Sequence, residues 1–146
     1  SACAAGAVST FNNEADVEKM RVFGQKVGMA FQIKDDLFDY SSADIGKPTG
    51  NDIKEKKLTL PLIYTLNNCP SDIKRKLIHI VKNENTQKDK VAFVIDAVVQ
   101  YGGIAYATEK MFAFRDEALT ILHEFPASEV RDALEELVRY TTDRKY

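Results

Sequence analysis

The segment GMAFQIKDDLFDY, Gly28 to Tyr40, sets three aspartates, Asp35, Asp36 and Asp39, in a stretch that is otherwise apolar. At about 100° of rotation per residue, and with Gln32 at zero, their carboxylates fall at about 300°, 40° and 340°, so Gln32 and the aspartates share one helical stripe. Val27, Ala30, Phe31, Ile33, Leu37 and Phe38 fill the opposite side with core-type side chains, interrupted by Lys34. A solvated acidic face is the plain alternative. Against it, Asp is a poor helix former in mid-helix, neighbouring like charges repel, and Glu and Lys, the usual solvent-face residues, are missing from the stripe. A hard cation that neutralises the group explains it better. Mg²⁺ takes one or two carboxylates and completes its octahedron with water and phosphate oxygens.

Directly after this segment comes SSADIGKPTGNDIKEKKLTLPLIY, in which Gly46, Pro48 and Gly50 shape a turn and Lys47, Lys54, Lys56 and Lys57 supply positive charge. Lysines beside a Mg²⁺–carboxylate cluster suit a polyanion such as a diphosphate, whose charge builds as it departs. Lys47, held between Gly46 and Pro48, is the foremost candidate, while a solvated-surface role serves Lys54, Lys56 and Lys57 at least as well. Two other motifs fail on spacing. An EF-hand needs an oxygen ligand third and a glycine sixth after Asp35, where Leu37 and Tyr40 stand, and a P-loop needs Ser or Thr at Pro48 and Gly at Ser41.

The elements that carry these residues read as helices throughout, because apolar residues recur at three- and four-residue steps and no sustained period-2 run occurs. The spacing predicts helices at 14–41, 58–67, 71–83, 87–100, 104–125 and 128–144 in one all-α domain over residues 1–146, with Ser71 and Ser128 as N-caps. The uncharged opening SACAAGAVSTFNN, rich in small residues, resembles the interior of a closely packed, buried helix already under way; a short tail docked on the core is the alternative. With 20 Lys and Arg against 22 Asp and Glu, the chain lacks the positive field that phosphate-driven nucleic-acid binding requires. It carries neither an apolar run of membrane-spanning length nor a signal-peptide pattern, so it reads as soluble and cytoplasmic. Cys3, Cys69, His79 and His123 have no metal-ligand spacing and no CxxC pairing.

The run FQIKDDLFDYSSADIGKPTGNDIKEKKLTLPLIY resembles the second aspartate-rich motif and following loop of the trans-type polyprenyl diphosphate synthases, and Tyr101-Gly102-Gly103-Ile104 and the ending LHEFPASEVRDALEELVRYTTDRKY are similar to later parts of that family. The resemblance implies an all-α bundle of the isoprenoid synthase type. It implies Mg²⁺ as cofactor and condensation of isopentenyl diphosphate with an allylic prenyl diphosphate, towards medium- to long-chain products. Carried over, Asp35, Asp36 and Asp39 match metal-binding positions, Lys47 the lysine on the allylic diphosphate, Phe31 and Gln32 positions lining the cavity, and Lys57 a further basic position.

No counterpart of the first aspartate-rich motif is present, so the resemblance points to the C-terminal part of a synthase, inactive by itself. Helix faces left uncovered by the missing part imply a homodimer or higher oligomer. Two other readings share these residues: a non-catalytic helical partner of an active synthase, and a terpene cyclase fragment, against which the GKPTGND loop argues.

Overall fold

The computed structural model describes residues 1–10, 13–40 and 50–144. The described residues form helices and turns, with no strand among them. In order these are α1 (Ala2–Thr10), α2 (Glu14–Phe38), α3 (Asn51–Lys54), α4 (Leu60–Asn68), α5 (Ser71–His79) running into a π-helical turn (Ile80–Glu84), α6 (Lys88–Gln100), α7 (Gly103–Leu122) and α8 (Glu129–Asp143). The all-α expectation therefore holds, and each predicted helix has its counterpart. Packing gathers the chain into two compact units, Ser1–Lys34 with Lys110–Tyr146, and Asp35–Glu109.

In the first unit, Phe23, Ala118, Leu119, Leu122 and Val138 are buried together, with Cys3, Met20, Val27, Ile121 and Leu134 packed around them. Burying a side chain of this size stabilises by about 1.5–3 kcal/mol, and the rim of the cluster is laced by the ion pairs Lys19–Glu124 (2.8 Å) and Lys26–Glu117 (2.5 Å). The opening segment is helical as expected but not buried: in α1 only Ala7 is buried. The physical reason is that little lies against it: a Cβ built on Gly6 would meet nothing within 4 Å. The helix rests closely at one point, where a Cβ on Gly24 would stand 3.0 Å from Cβ and Sγ of Cys3.

In the second unit, Ile53, Leu62, Leu77, Ile80, Val94 and Val98 are almost fully buried in one core that also takes Tyr40, Val81, Val91 and Ala97. Two glycines make its close approaches possible. Gly103 opens α7 against α4, where a Cβ would fall 2.5 Å from the Pro61 carbonyl oxygen and 2.6 Å from Thr65 Oγ1. Gly50 has φ +75° and backs onto Val91, so a side chain there is both strained and blocked. Tyr64 and Tyr106 stack nearby at 4.2 Å.

Of the boundaries that differ from the sequence reading, three have a local reason. The first helix stops at Phe38 rather than 41, because Asp39 turns away to serve α3. Ser71 is the first residue of α5 and makes no cap; Pro70, extended at φ −56° and ψ 152°, is the capping residue, and its carbonyl accepts from Lys74 N. The helix expected from 58 starts at Leu60, with Pro61 in the first turn where its missing N–H costs nothing. Ser128 does cap α8, its Oγ accepting from Arg131 N at 3.2 Å. Lys34, the residue that broke the apolar stripe, has its pKa pushed down by burial and by Arg144, with Asp143 opposing.

Candidate functional site

Asp35 and Asp36 lie in the last turn of α2, both half-buried. A helix C-terminus carries a partial negative charge of about half an electron from its unmatched carbonyls, and cations are the groups that stabilise it. No basic residue stands in that last turn. Two carboxylates thus add to a potential that is already negative, an arrangement that favours a cation from outside the helix.

Asp39 follows in a tight turn, its N–H donating to the Asp36 carbonyl at 3.3 Å and that of Tyr40 to Leu37 at 3.2 Å. Its carboxylate reaches across twelve residues to the N-terminus of α3, accepting from Asn51 N at 2.8 Å on one oxygen and from Asp52 N at 3.0 Å on the other, while its carbonyl accepts from Gly50 N at 3.0 Å. Asp39 is therefore the cap of α3, supplied from a distant part of the chain. Burial pushes its pKa up, and the two amide bonds pull back against that. Both oxygens are engaged, although a carboxylate has further lone pairs to offer. Next to it Tyr40 is 4% exposed and bonds Thr59 Oγ1 at 2.6 Å; burial is the main cause of its raised pKa.

The lysines are not equivalent. Lys57 pairs with Glu55 at 2.7 Å and Asp52 at 3.1 Å, and these bonds hold its ammonium pKa above the ordinary lysine range. Lys56 donates to the Lys82 carbonyl at 2.8 Å. Lys47, with Gly46 and Pro48, lies outside the described residues. Phe31 and Gln32 are exposed, and Phe31 at 40% exposure carries the Arg144 guanidinium over its ring at 4.5 Å.

The structure thus brings Asp39, Asn51, Asp52 and Lys57 together behind the acidic turn of α2. Sequence reasoning passed over Asn51 and Asp52; the signal was there in the Gly50-Asn51-Asp52 run, a glycine followed by residues that favour helix starts. Among the described residues no group of three or more His, Cys, Asp or Glu is gathered as a ready cage for a metal ion.

Comparison with known proteins gives a consistent result. The family model for polyprenyl synthetase matches residues 1–98. The chain is 36% identical over 129 residues to a solanesyl-diphosphate synthase 2, chloroplastic, of Oryza sativa subsp. japonica, covering 87% of this chain and 31% of that protein. Among solved structures it matches a geranylgeranyl pyrophosphate synthase from Bacteroides thetaiotaomicron with a TM-score of 0.88 and 35% identity, over 97% of this chain and 47% of the other. It also matches a polyprenyl synthase from Caulobacter crescentus CB15 complexed with calcium and isoprenyl diphosphate, with a TM-score of 0.85 and 29% identity, over 98% of this chain and 44% of the other. The chain spans less than half the length of each of these proteins.

Proposed function

The chain belongs to the polyprenyl synthetase family, and from that premise we propose that it supplies the second acidic half of the site of a prenyltransferase joining isopentenyl diphosphate to an allylic prenyl diphosphate. The observation that carries this reading is the pair Asp35 and Asp36 on the negative end of α2 with no basic residue in the turn. Asp35 and Asp36 would hold Mg²⁺, whose positive charge would offset that of the diphosphate oxygens. Asp39 would add its charge while it caps α3.

In the reaction the allylic C–O bond breaks and its electron pair leaves with the diphosphate. The double bond of isopentenyl diphosphate attacks the allylic carbon, and an adjacent C–H gives its proton to an oxygen of the departed diphosphate, its electron pair restoring a double bond. Lys47 neutralises the departing diphosphate, with Lys57 as a weaker contributor because Glu55 and Asp52 already engage it. Phe31 and Gln32 line the path of the hydrocarbon. Helix faces that keep large apolar groups exposed, such as Val8, Leu137 and Tyr140, support a homodimer or higher oligomer. No single described helix is long and apolar enough to cross a membrane; a cytoplasmic location is part of the same proposal.

Calorimetric titration of farnesyl diphosphate into the chain, with and without Mg²⁺, tests the reading. Binding that needs Mg²⁺ and disappears in Asp35→Asn with Asp36→Asn supports it; Mg-independent binding, or binding that survives the double substitution, sinks it.

A further inference from the structure

The π-helical turn Ile80–Glu84 extends α5 by five residues in a register that α-helices rarely adopt. Its far end meets the C-terminus of α3 through two side chains. Lys56 Nζ donates to the Lys82 carbonyl at 2.8 Å, and Asn85 Nδ2 donates to the Lys54 carbonyl at 2.5 Å. The end of α3 is otherwise closed by its own backbone, with Lys56 N on Ile53 O at 3.0 Å and Lys57 N on Asp52 O at 2.8 Å. That closure places Lys56 at φ 60°, a position at which glycine is the usual residue. A lysine there holds a costlier backbone and in return sends an ammonium to a helix-terminal carbonyl, where a cation is favoured.

The short α3 is therefore tied at both ends, at its start to the Asp39 carboxylate and at its close to the π-helical turn. We propose that Lys56 and Asn85 are positioning residues for the acidic turn of α2: they hold the close of α3, α3 presents the amides of Asn51 and Asp52, and those amides hold Asp39 and with it the direction of the turn carrying Asp35 and Asp36. The connection runs through 26 residues of sequence for Lys56 and 31 for Asn85. The link to metal binding rests on the function proposed above.

The test uses the full chain with Lys56→Gly, Asn85→Ala and Lys56→Arg. Lys56→Gly removes the ammonium while relaxing the backbone, so it remains informative where Asn85→Ala fails to fold. Two readouts are taken: amide hydrogen exchange at Asn51 and Asp52, with Val94 and Val98 of α6 as internal references, and the Mg²⁺ concentration for half-maximal farnesyl diphosphate binding. The expected result is exchange faster by about tenfold at Asn51 and Asp52 alone, with the Mg²⁺ midpoint raised by about 10- to 100-fold, the scale on which supports behind a metal ligand act. Lys56→Arg, which keeps a donor, restores both. Parental exchange in Lys56→Gly overturns the proposal, as does faster exchange with an unmoved Mg²⁺ midpoint. A parent chain that binds no diphosphate with Mg²⁺ defeats the proposed function instead, and exchange at Asn51 and Asp52 still decides whether the two anchors hold α3.

Discussion

The first turn of α8 and the last turn of α2 both carry two acidic residues, yet the helix treats them in opposite ways. In α8, Glu129 and Asp132 stand at the N-terminus, where the unmatched amides are positive and Ser128 has already taken one of them. Each such carboxylate stabilises its helix by roughly 0.3–1 kcal/mol. In α2, Asp35 and Asp36 stand at the C-terminus, where the same charge opposes the same dipole and no basic side chain stands in the turn to offset it. The acidic turn of α8 works with its helix dipole, whereas that of α2 works against it.

The strongest way to break the comparison is Asp35→Asn with Asp36→Asn. Mg-dependent binding of farnesyl diphosphate is expected to fall by at least about a hundredfold, about 2.8 kcal/mol, when followed by calorimetry.

Next in size is Gly50→Ala, which tests the platform behind the acidic turn. A side chain at φ +75° costs roughly 1–2 kcal/mol, and contact with Val91 adds strain of the kind overpacked cores show, so a loss of about 2 kcal/mol is expected in urea unfolding. Retention of parental stability would show that α3 shifts freely, and that Asp39 does not depend on its position.

Ser128→Ala probes the other side of the comparison. Loss of the bond to Arg131 N should cost about 1 kcal/mol in the same unfolding assay and leave diphosphate binding unchanged. An effect on Mg-dependent binding would break the separation between a turn that folds and a turn that binds.

The smallest effect concerns Glu135, which bonds His123 Nε2 at 2.6 Å and Arg139 at 2.8 Å in an exposed setting. These bonds, that to His123 first, hold its carboxyl below the ordinary value of 4.5. A depressed carboxylate contributes its stability fully above its unfolded pKa and loses it as pH falls through the folded one. Melting curves of the parent and Glu135→Gln should accordingly differ by a small margin at pH 6 and converge as the pH drops below about 4. A gap that persists at pH 3 would show that charge is not what the pair contributes.

Much of this molecule was legible in its residues because helices are written locally. The three- and four-residue spacing of apolar side chains, the turn at Gly102-Gly103 and the cap at Ser128 each depend on neighbours within one or two turns, and each was placed to within a few residues. The acidic stripe was legible for the same reason, since helical rotation alone brings Asp35 and Asp36 to one side. What failed was the far end of that stripe. Extending the helix to 41 made Asp39 a third member of it, whereas the turn after Phe38 sends Asp39 to the amides of Asn51 and Asp52.

The residues alone therefore determined the all-α class, the order of the longer helices but not the short α3, and the grouping of Asp35 and Asp36 in a stretch otherwise suited to burial, because these follow from periods of a few residues. Tertiary structure decided that Asp39 caps α3, that Lys57 is engaged by Glu55 and Asp52, that Lys56 reaches the Lys82 carbonyl in the π-helical turn and Asn85 the Lys54 carbonyl at the end of α3, and that Gly103 lets α7 approach Pro61. Most of these contacts join residues a dozen or more apart through one or two hydrogen bonds or a single close approach. Such pairings have no period to betray them, and they exist only once the helices have packed and brought their ends within about 3 Å, the reach of a hydrogen bond.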